Sequence, residues 1–257
     1  MKGFEALMAV LVFDSGVGGL GVVAALNQLA PDLPLTYLVD NGFFPYGEKE
    51  DGVLLAHLFR LLGAEIARHR PEAVIIACNT ASTIALTALR EAFNIPFIGC
   101  VPPIKPAAAA SRTGYIGVLA TAATVRRPYL QNLIKRFAPD CTVLSLGTPA
   151  LAELAEQKFR GATVSVAEVI APLFEQPGSD KIDAIALGCT HYTFLLPEFQ
   201  ALRPDLSWHD PALPVARQAL RVIDTLSVAP APRMARFTGE ALSPASLASF
   251  GLSPDGI

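Results

Sequence analysis

AVIIACNT at residues 73–80 indicates the fold most directly, together with AIALGCTH at residues 184–191. Each is a short apolar run that ends in a cysteine followed by small polar residues. Such a run is typical of a strand buried on both faces of a parallel sheet. Further apolar runs on both sides of these stretches alternate with Ala- and Leu-rich segments of helical periodicity. The sequence therefore predicts an α/β fold with mostly parallel sheets.

The predicted elements follow this alternation along the chain. Apolar runs predict strands at 8–13, 35–39, 73–77, 97–98, 114–119, 142–146, 184–187 and 236–238. Helical periodicity predicts helices at 20–29, 52–69, 83–92, 127–137, 150–158 and 164–174. Ligands of parallel sheets bind beyond the carboxyl ends of the strands, so we expect the functional residues to follow these runs directly.

The two cysteine-bearing stretches superpose with Cys78 on Cys189, and VFDSGVGG at 12–19 aligns in the same way with VLATAATV at 118–125. We interpret this as an internal duplication, which predicts two pseudo-symmetric α/β domains facing a central cleft. The alternative is that any two buried strands rich in Ala and Ile look alike. Pro-rich crossings at 101–107 and 208–214 indicate the boundaries: residues 1–100 with 208–257 are the predicted first domain, and 101–207 the second.

Composition argues against two kinds of partner. Twenty Lys+Arg against 23 Asp+Glu give a net charge of −3, which leaves no basic surplus for nucleic acid. The longest apolar runs, at 6–13 and 73–78, are shorter than the ~18–20 residues of a membrane-spanning helix. The opening MKGFEALMAV does not fit a secretory signal, so we expect a cytoplasmic protein without a membrane partner.

The segment from Gly16 to Gly21 has the form GxGxxG, follows a predicted strand and precedes a predicted helix, with Asp40 at the end of the next strand. This is the dinucleotide-binding fingerprint. Asp14, at the strand end, would however repel a pyrophosphate. Two other interpretations stay open: the turn binds a small carboxylate through backbone N–H groups, or its glycines let the helix pack closely on the strand.

Two of the four cysteines are candidate reactive thiols. Cys78 and Cys189 each end a buried strand at an expected helix N-terminus, a setting that lowers a thiol pKa from ~8.5 toward neutrality. A buried cysteine is usually inert. Two at matching places instead indicate thiols on opposite faces of one substrate carbon, where one removes a proton and the other delivers one. Cys100 and Cys141 lack this setting and are predicted to be structural; no CxxC pair or metal-ligand cluster is present, so we expect free thiols and no metal.

Five motifs together resemble the glutamate racemase family of cofactor-independent amino-acid racemases. They are DSGVGGLGV at 14–22, DNGFFPYGEK at 40–49, ACNTAS at 77–82, IGVLATAATV at 116–125 and LGCTHYTFLLP at 187–197. The resemblance implies an isomerase that interconverts L- and D-glutamate without a cofactor and supplies D-glutamate for peptidoglycan. It also implies a homodimer. The DNGFFPYGEK form resembles the racemases of Gram-negative bacteria, some of which require a cell-wall precursor as activator.

The same resemblance implies roles for individual residues. Cys78 and Cys189 are the implied acid/base pair, and Asp14 and His191 assist their proton transfers. Glu156 takes the role of a further catalytic glutamate at the end of TPALAELAE at 148–156, with Glu153 as a weaker candidate. The implied substrate-binding residues are Asp14, Ser15, Tyr46, Gly47, Asn79, Thr80, Thr121, Thr124, Thr190 and His191.

Recognition of the substrate carboxylates is expected to rest on backbone N–H groups and hydroxyls, because the motifs contain no arginine. The other histidines, His57, His69 and His209, are predicted surface, packing or loop residues. Three alternative functions remain: a racemase of the same superfamily acting on aspartate or a related acid, a hydrolase or decarboxylase that uses one cysteine, and a nucleotide-binding or regulatory protein.

Overall fold

The computed structural model describes residues 10–223 and 232–255. The first two residues of the strand predicted at 8–13 lie outside these ranges. The strands in chain order are β1 Val10–Asp14, β2 Leu35–Val39, β3 Ala73–Ile76, β4 Phe97–Gly99, β5 Tyr115–Ala120, β6 Thr142–Gly147, β7 Ala184–Gly188, β8 Ser207–His209, β9 Met234–Phe237 and β10 Ser253–Pro254.

Helices connect the strands. The α-helices are α1 Leu20–Leu29, α2 Asp51–His69, α3 Asn79–Ala92, α4 Ile104–Ala110, α5 Ala122–Arg126, α6 Pro128–Phe137, α7 Ala150–Phe159, α8 Ala167–Phe174, α9 Leu196–Leu202, α10 Ala212–Val222 and α11 Pro244–Ala248. Short 3-10 helices lie at Val17–Gly19, Tyr46–Glu48, Ser179–Lys181 and Thr190–Leu195.

The strands form two sheets, and every ladder in them is parallel. The first sheet has the order β10-β9-β2-β1-β3-β4 and the second the order β6-β5-β7-β8. The predicted α/β class with parallel sheets is confirmed. The order β2-β1-β3-β4 recurs as β6-β5-β7-β8, which is the topology that an internal duplication predicts.

Both sheets are covered by helices on both faces, which explains why their strands are continuous apolar runs rather than alternating ones. On the first sheet, Val12 packs with α1 and α10, whereas its neighbour Phe13 packs with α2 and α3 on the other face. On the second, Val118 packs with α4 and α6 and Leu119 with α7 and α8. Each fully buried large side chain of this kind contributes roughly 1.5–3 kcal/mol.

Strand order reverses beside β1 in the first sheet and beside β5 in the second. In open α/β sheets such a switch point leaves a crevice beyond the carboxyl ends of the two adjacent strands, and ligands bind there. The adjacent pairs are β1 with β3 and β5 with β7. The residues at or just beyond their ends are Asp14, Cys78, Thr121 and Cys189.

Several sequence predictions need correction. β8 pairs with β7, so Trp208 and His209, which the sequence placed in the first domain, belong to the second sheet, and His209 ends a strand rather than lying in a loop. Cys78 does precede a helix, α3, but Cys189 precedes a 3-10 helix, and α9 begins only at Leu196. The division into two domains itself stays a prediction.

Candidate active site

A cavity of about 190 Å³ lies at the carboxyl ends of both sheets. This is smaller than the ~300–1,000 Å³ typical of sites for drug-sized ligands, and it suits a small metabolite. It is lined by Ser15, Phe44, Pro45, Tyr46, Gly47, Glu48, Cys78, Thr80, Thr121, Ala122, Arg126, Pro149, Ala152, Cys189 and His191. Residues from both sheets therefore share one enclosed space, and two thiols are among them.

Cys78 forms one side of the cavity. It occupies the N-cap position of α3, two residues beyond β3, and its Sγ lies 3.6 Å from the hydroxyl of Ser15. Burial raises the pKa of this thiol well above its usual range, and the nearby Asp14 carboxyl raises it further. The predicted lowering of the Cys78 pKa is therefore wrong, because desolvation outweighs the helix N-terminus. Cys78 is held as a thiol, the form that donates a proton.

Asp14 lies behind Cys78, fully buried at the end of β1. Its carboxylate accepts hydrogen bonds from the Ser15 amide at 2.6 Å and from the Thr190 hydroxyl at 3.1 Å. Burial raises the Asp14 pKa despite these bonds and the positive charge of His191. Since Thr190 follows β7, this bond also joins the ends of the two sheets.

Cys189 forms another side of the cavity and has an imidazole as its neighbour. His191 Nδ1 lies 3.9 Å from the Cys189 sulfur, and His191 Nε2 lies 3.0 Å from Glu156 Oε1. Burial alone would lower the His191 pKa, but the hydrogen bonds with Cys189 and Glu156 raise it well above its usual value. Glu156 also accepts the Val17 amide at 2.8 Å. The result is an imidazolium held between a carboxylate and a sulfur.

The Glu156 pKa is shifted in the direction that this pairing requires. Burial raises it, but the hydrogen bond and positive charge of His191 outweigh burial and leave the pKa below its usual value. Glu153, the weaker candidate, lines a separate surface pocket with Glu168. The geometry thus distinguishes the two glutamates of α7, and Glu156 is the one that reaches the site.

The glycine-rich turn at 16–21 packs against the side chains of Glu156 and His191 and does not leave room for a nucleotide. A Cβ built on Gly16 would lie 2.2 Å from Glu156 Oε1, and one on Gly18 would lie 2.6 Å from His191 Nδ1. No side chain fits at such distances. Because Glu156 and His191 fill the space against the turn, a pyrophosphate has no room there, and the close approach of these two side chains accounts for Gly16 and Gly18. Packing of the helix on the strand accounts for Gly19, where an added Cβ would lie 2.8 Å from the Cβ of Asp14.

A chain of hydroxyls crosses between the two halves of the site. Thr80 Oγ1 lies 3.1 Å from Thr121 Oγ1, which lies 2.9 Å from Thr124 Oγ1. Thr121 also caps α5 by accepting the Thr124 amide at 3.2 Å. Asn79 is buried, with its amide nitrogen 3.3 Å from the Cys100 sulfur and its Oδ1 without a partner.

The predicted site residues divide into those on the cavity wall and those behind it. On the wall are Ser15, Tyr46, Gly47, Cys78, Thr80, Thr121, Cys189 and His191. Behind it are Asp14, Asn79, Thr124, Glu156 and Thr190. Except for Asn79, which contacts Cys100, these residues hold wall residues or their neighbours by the hydrogen bonds given above.

Phe44, Pro45, Glu48 and Arg126 are wall residues that were not predicted from the sequence. Phe44 and Pro45 lie inside the DNGFFPYGEK motif, and the Phe44 ring packs against the His191 ring with centroids 5.5 Å apart. Arg126 is an exposed cation at the end of α5, five residues after Thr121.

Among the described ranges 10–223 and 232–255, no group of three or more His, Cys, Asp or Glu side chains is placed to hold a metal ion. No helix within them has both the length and the apolar composition to span a membrane. All four cysteines are free thiols.

Fold and site together define an α/β enzyme in which two cysteines, at equivalent strand ends of two similar sheets, face one small cavity. The family model described as Asp/Glu/Hydantoin racemase matches residues 20–229 of the chain. The chain belongs to this family of isomerases.

Individual relatives agree with the family. A glutamate racemase of Granulibacter bethesdensis is 50% identical over 224 residues, which cover 87% of this chain and 81% of the relative. A glutamate racemase of Pectobacterium carotovorum is 50% identical over 199 residues, covering 76% of this chain and 69% of the relative. The crystal structure of Escherichia coli glutamate racemase, in complex with L-glutamate and the activator UDP-MurNAc-Ala, superposes with a TM-score of 0.84 at 36% identity, covering 96% of both chains.

Proposed function

We propose that this protein interconverts L- and D-glutamate. The observation that carries the proposal is that Cys78 and Cys189, at equivalent strand ends, line the same cavity. Racemisation requires one group that removes the α-proton and another that returns a proton to the opposite face. The choice of glutamate is supported by relatives at 50% identity that bear this activity in their names.

The proposed reaction is a balanced transfer between two sulfurs. The thiolate of one cysteine takes the α-proton and becomes a thiol, leaving the bonding electron pair on the α-carbon. The thiol of the other cysteine then protonates that carbon from the opposite face and becomes a thiolate. The inverted product has the same atoms as the substrate, and the two cysteines have exchanged protonation states. The reverse reaction uses the same groups in the opposite order.

The neighbours of the two sulfurs suit this exchange. In the structure Cys78 is held as a thiol, ready to donate. The His191 imidazolium donates toward Cys189, where it stabilises a thiolate that acts as the base. Glu156 keeps the imidazole protonated and fixes its orientation. When the roles reverse, Asp14 beside Cys78 is the group placed to accept the Cys78 proton; its negative charge disfavours the thiolate, so it assists only as a proton acceptor.

The substrate is proposed to bind by its charged groups. The hydroxyls of Thr80 and Thr121 and the backbone at the start of α3 offer donors to a carboxylate. Arg126 is a cation on the same wall and is available to the second carboxylate of a dicarboxylic acid. This arrangement accounts for an acidic substrate without a cofactor.

The proposal is tested by following optical rotation or circular dichroism of L-glutamate with purified protein and no added cofactor. We expect decay to an equal mixture of enantiomers, also after dialysis against EDTA. L-aspartate in the same assay tests the alternative substrate. Turnover of aspartate but not of glutamate, or a requirement for added metal or pyridoxal phosphate, would overturn the proposal.

We also propose that the D-glutamate formed by this enzyme is used to build peptidoglycan. We further propose that a cell-wall precursor activates the enzyme. The support is the 36% identical Escherichia coli protein, whose structure contains the activator UDP-MurNAc-Ala. Titrating UDP-MurNAc-Ala into the assay should raise the rate, and an unchanged rate at saturating activator contradicts activation. The homodimer and a cytoplasmic location remain proposals; sedimentation of the purified protein tests the dimer.

A further inference from the structure

One wall of the cavity is a loop. The segment 41–50, between β2 and α2, contributes Phe44, Pro45, Tyr46, Gly47 and Glu48 to the lining. The loop also touches the other half of the site, since a Cβ built on Gly47 would lie 3.2 Å from the Cβ of Thr121. The position of this loop therefore sets the width of the cavity.

The loop is attached to the body of the protein through Asp40, a buried residue just after β2. The Tyr46 hydroxyl donates a hydrogen bond to Asp40 Oδ2. His57 Nε2, from α2, lies 2.6 Å from the same oxygen, and the Thr238 hydroxyl donates to Oδ1 at 2.6 Å. Asp40 thus joins the loop to a helix on one side and to the segment after β9 on the other.

The direction of the His57 bond follows from its second neighbour. Arg60 Nη2 lies 3.1 Å from His57 Nδ1. A guanidinium can only donate, so Nδ1 must accept, and the ring proton lies on Nε2, where it is donated to Asp40. An Arg60–His57–Asp40–Tyr46 chain of hydrogen bonds therefore runs from the surface of α2 to the cavity wall.

A second contact holds the same loop to His57. The Phe43 ring stacks on the His57 ring, with centroids 4.2 Å apart and an angle of 19° between the planes, and Lys49 Nζ lies 4.8 Å from the Phe43 centroid. Stacking fixes the start of the loop, whereas the Asp40 bonds fix Tyr46 in its middle. One histidine contacts the loop directly and also reaches it through Asp40.

These bonds define what Tyr46 contributes. Its ring lines the cavity, but its hydroxyl is occupied by Asp40, and burial together with Asp40 raises the Tyr46 pKa well above its usual value. The phenol is therefore an anchor and not a proton-transfer group. The loop faces a ligand with its backbone, with the rings of Phe44, Pro45 and Tyr46, and with Glu48.

We propose that Asp40 and His57 are positioning residues that hold the 41–50 loop in the geometry that binds glutamate. The inference rests on the proposed function for its substrate, but the attachment of the loop does not. Neither residue touches the cavity, so both act through Tyr46 and Phe43. We expect them to affect substrate binding more than the chemical step.

The experiment compares His57→Leu with His69→Leu. His69 is a matched control, because it lies on the same helix, has similar side-chain exposure (22% against 15%) and contacts Arg236 rather than the loop. In His57→Leu, we expect KM for L-glutamate to rise about three- to tenfold, the range spanned by loss of a hydrogen bond, with kcat within about twofold. His57→Gln, which retains a donor, should restore most of the lost affinity; His69→Leu should leave KM unchanged.

Two further measurements separate failure of the loop attachment from failure of the proposed substrate. Tyr46→Phe removes the other donor to Asp40 Oδ2, and we expect the double variant with His57→Leu to raise KM little beyond either single variant, since both loosen the same loop. Hydrogen exchange of amides 41–50 should accelerate in His57→Leu but not in His69→Leu. This measurement needs no activity, so it decides the attachment even if glutamate proves not to be the substrate. Unchanged exchange, or an equal rise of KM in both leucine variants, overturns the inference.

Discussion

Cys78 and Cys189 occupy equivalent strand ends but have chemically opposite neighbours. A buried carboxyl group lies behind Cys78, and an imidazolium lies beside Cys189. A carboxyl group hinders loss of a proton from a thiol, whereas an imidazolium favours it. The electrostatic surroundings of the two thiols are therefore asymmetric, and on the Cys78 side burial and a neighbouring carboxyl group raise the pKa of the thiol.

Replacing either cysteine by alanine should abolish racemisation in both directions, because each turnover needs one thiolate and one opposing thiol. We expect a loss of at least ~10²–10⁴-fold, as for removal of a general acid or base. Circular dichroism starting from each enantiomer measures it. Cys141→Ala, at a half-buried thiol away from the cavity, is the control. Full activity in Cys78→Ala or Cys189→Ala would contradict the two-thiol reaction.

Asp14→Asn and His191→Asn should slow turnover at different steps, since each group neighbours a different thiol. If the Cys78 face handles the D-enantiomer, as the family resemblance implies, the primary isotope effect with α-deuterated D-glutamate should rise in Asp14→Asn. The primary isotope effect with α-deuterated L-glutamate should rise in His191→Asn. Both are measured in heavy water. An effect of both variants on the same enantiomer would show that the pairing of helpers with thiols is wrong, while the two-thiol reaction could stand.

At the scale of single residues, the sequence predicts which residues form the site better than it predicts their pKa values. The two cysteines at the cavity and the choice of Glu156 over Glu153 could be proposed from motifs and strand ends. The raised pKa of Cys78 could not, because it depends on complete burial and on Asp14, which lies 64 positions earlier in the chain. His57 carries no motif, and only the fold brings it to Asp40.

Among the helices and strands, α7 contributes to stability through Glu156, which forms a charged pair with His191. The raised His191 pKa stabilises the fold at acid pH, and this contribution is lost as pH rises through the folded-state pKa. The lowered Glu156 pKa stabilises the fold above the ordinary value near ~4.3, and this contribution is lost as pH falls. The pair is thus strongest from weakly acidic to neutral pH.

Glu156→Gln should therefore lower Tm more at pH 6 than at pH 3.5, where the wild-type carboxyl is largely protonated. Loss of a charged hydrogen bond of ~1.5–3 kcal/mol corresponds to about 3–12 °C for a chain of this size. Glu153→Gln, on the same helix, is the matched control. Calorimetry at both pH values measures the difference, and an equal loss of Tm at the two values would contradict the assignment.

At the amino-terminal ends of β5 and β7, away from the cavity, Asp183 contributes to stability. Asp183, just before β7, accepts hydrogen bonds from the Ser111 hydroxyl at 2.5 Å and from the amides of Arg112 and Thr113 at 2.7 and 3.1 Å. It organises the turn before β5. The cavity lies at the other ends of these two strands.

Asp183→Ala should lower Tm by ~3–6 °C and leave kcat/KM unchanged, because the turn loses its acceptor while the carboxyl ends of the strands are untouched. Thermal unfolding followed by circular dichroism, together with the racemisation assay, measures both. Asp180→Ala, at an exposed position nearby, should change neither. A large loss of kcat/KM in Asp183→Ala would show that the amino-terminal ends of β5 and β7 do influence the site.

Strands buried on both faces were the elements most readily predicted, since a short continuous apolar run between turn residues is typical of them. The helix starts were less predictable: α3 begins at Asn79 rather than 83, because polar CNTAST conceals a first turn whose amides face the site. β8 and β10 were missed because neither Ser207–His209 nor Ser253–Pro254 is an apolar run, unlike the equally short β4. Tertiary pairing alone makes them strands.

Over the whole molecule, the second sheet is continuous in sequence and the first is not. Strands β5 to β8 follow one another, whereas β9 and β10 join the first sheet only after the second is complete. Duplication could be predicted from the repeated strand ends, because it leaves similar sequences. The return of the chain to the first domain, with a strand at 236–238, was predicted as well, but the pairing of that strand with β2 could not be, because β9 has no counterpart in the second sheet.

This discontinuity affects synthesis on the ribosome. About 130 residues separate β4 from β9, and at ~5–20 residues per second their translation takes roughly 7–27 s. Throughout that interval the edge of β2 is open to the surroundings, and Asp40 lacks its partner Thr238. The nascent chain therefore acquires both thiols well before the wall that faces them is secured, so that activity arises late in translation, and the open edge of β2 is where a chaperone or a wrong strand would pair first.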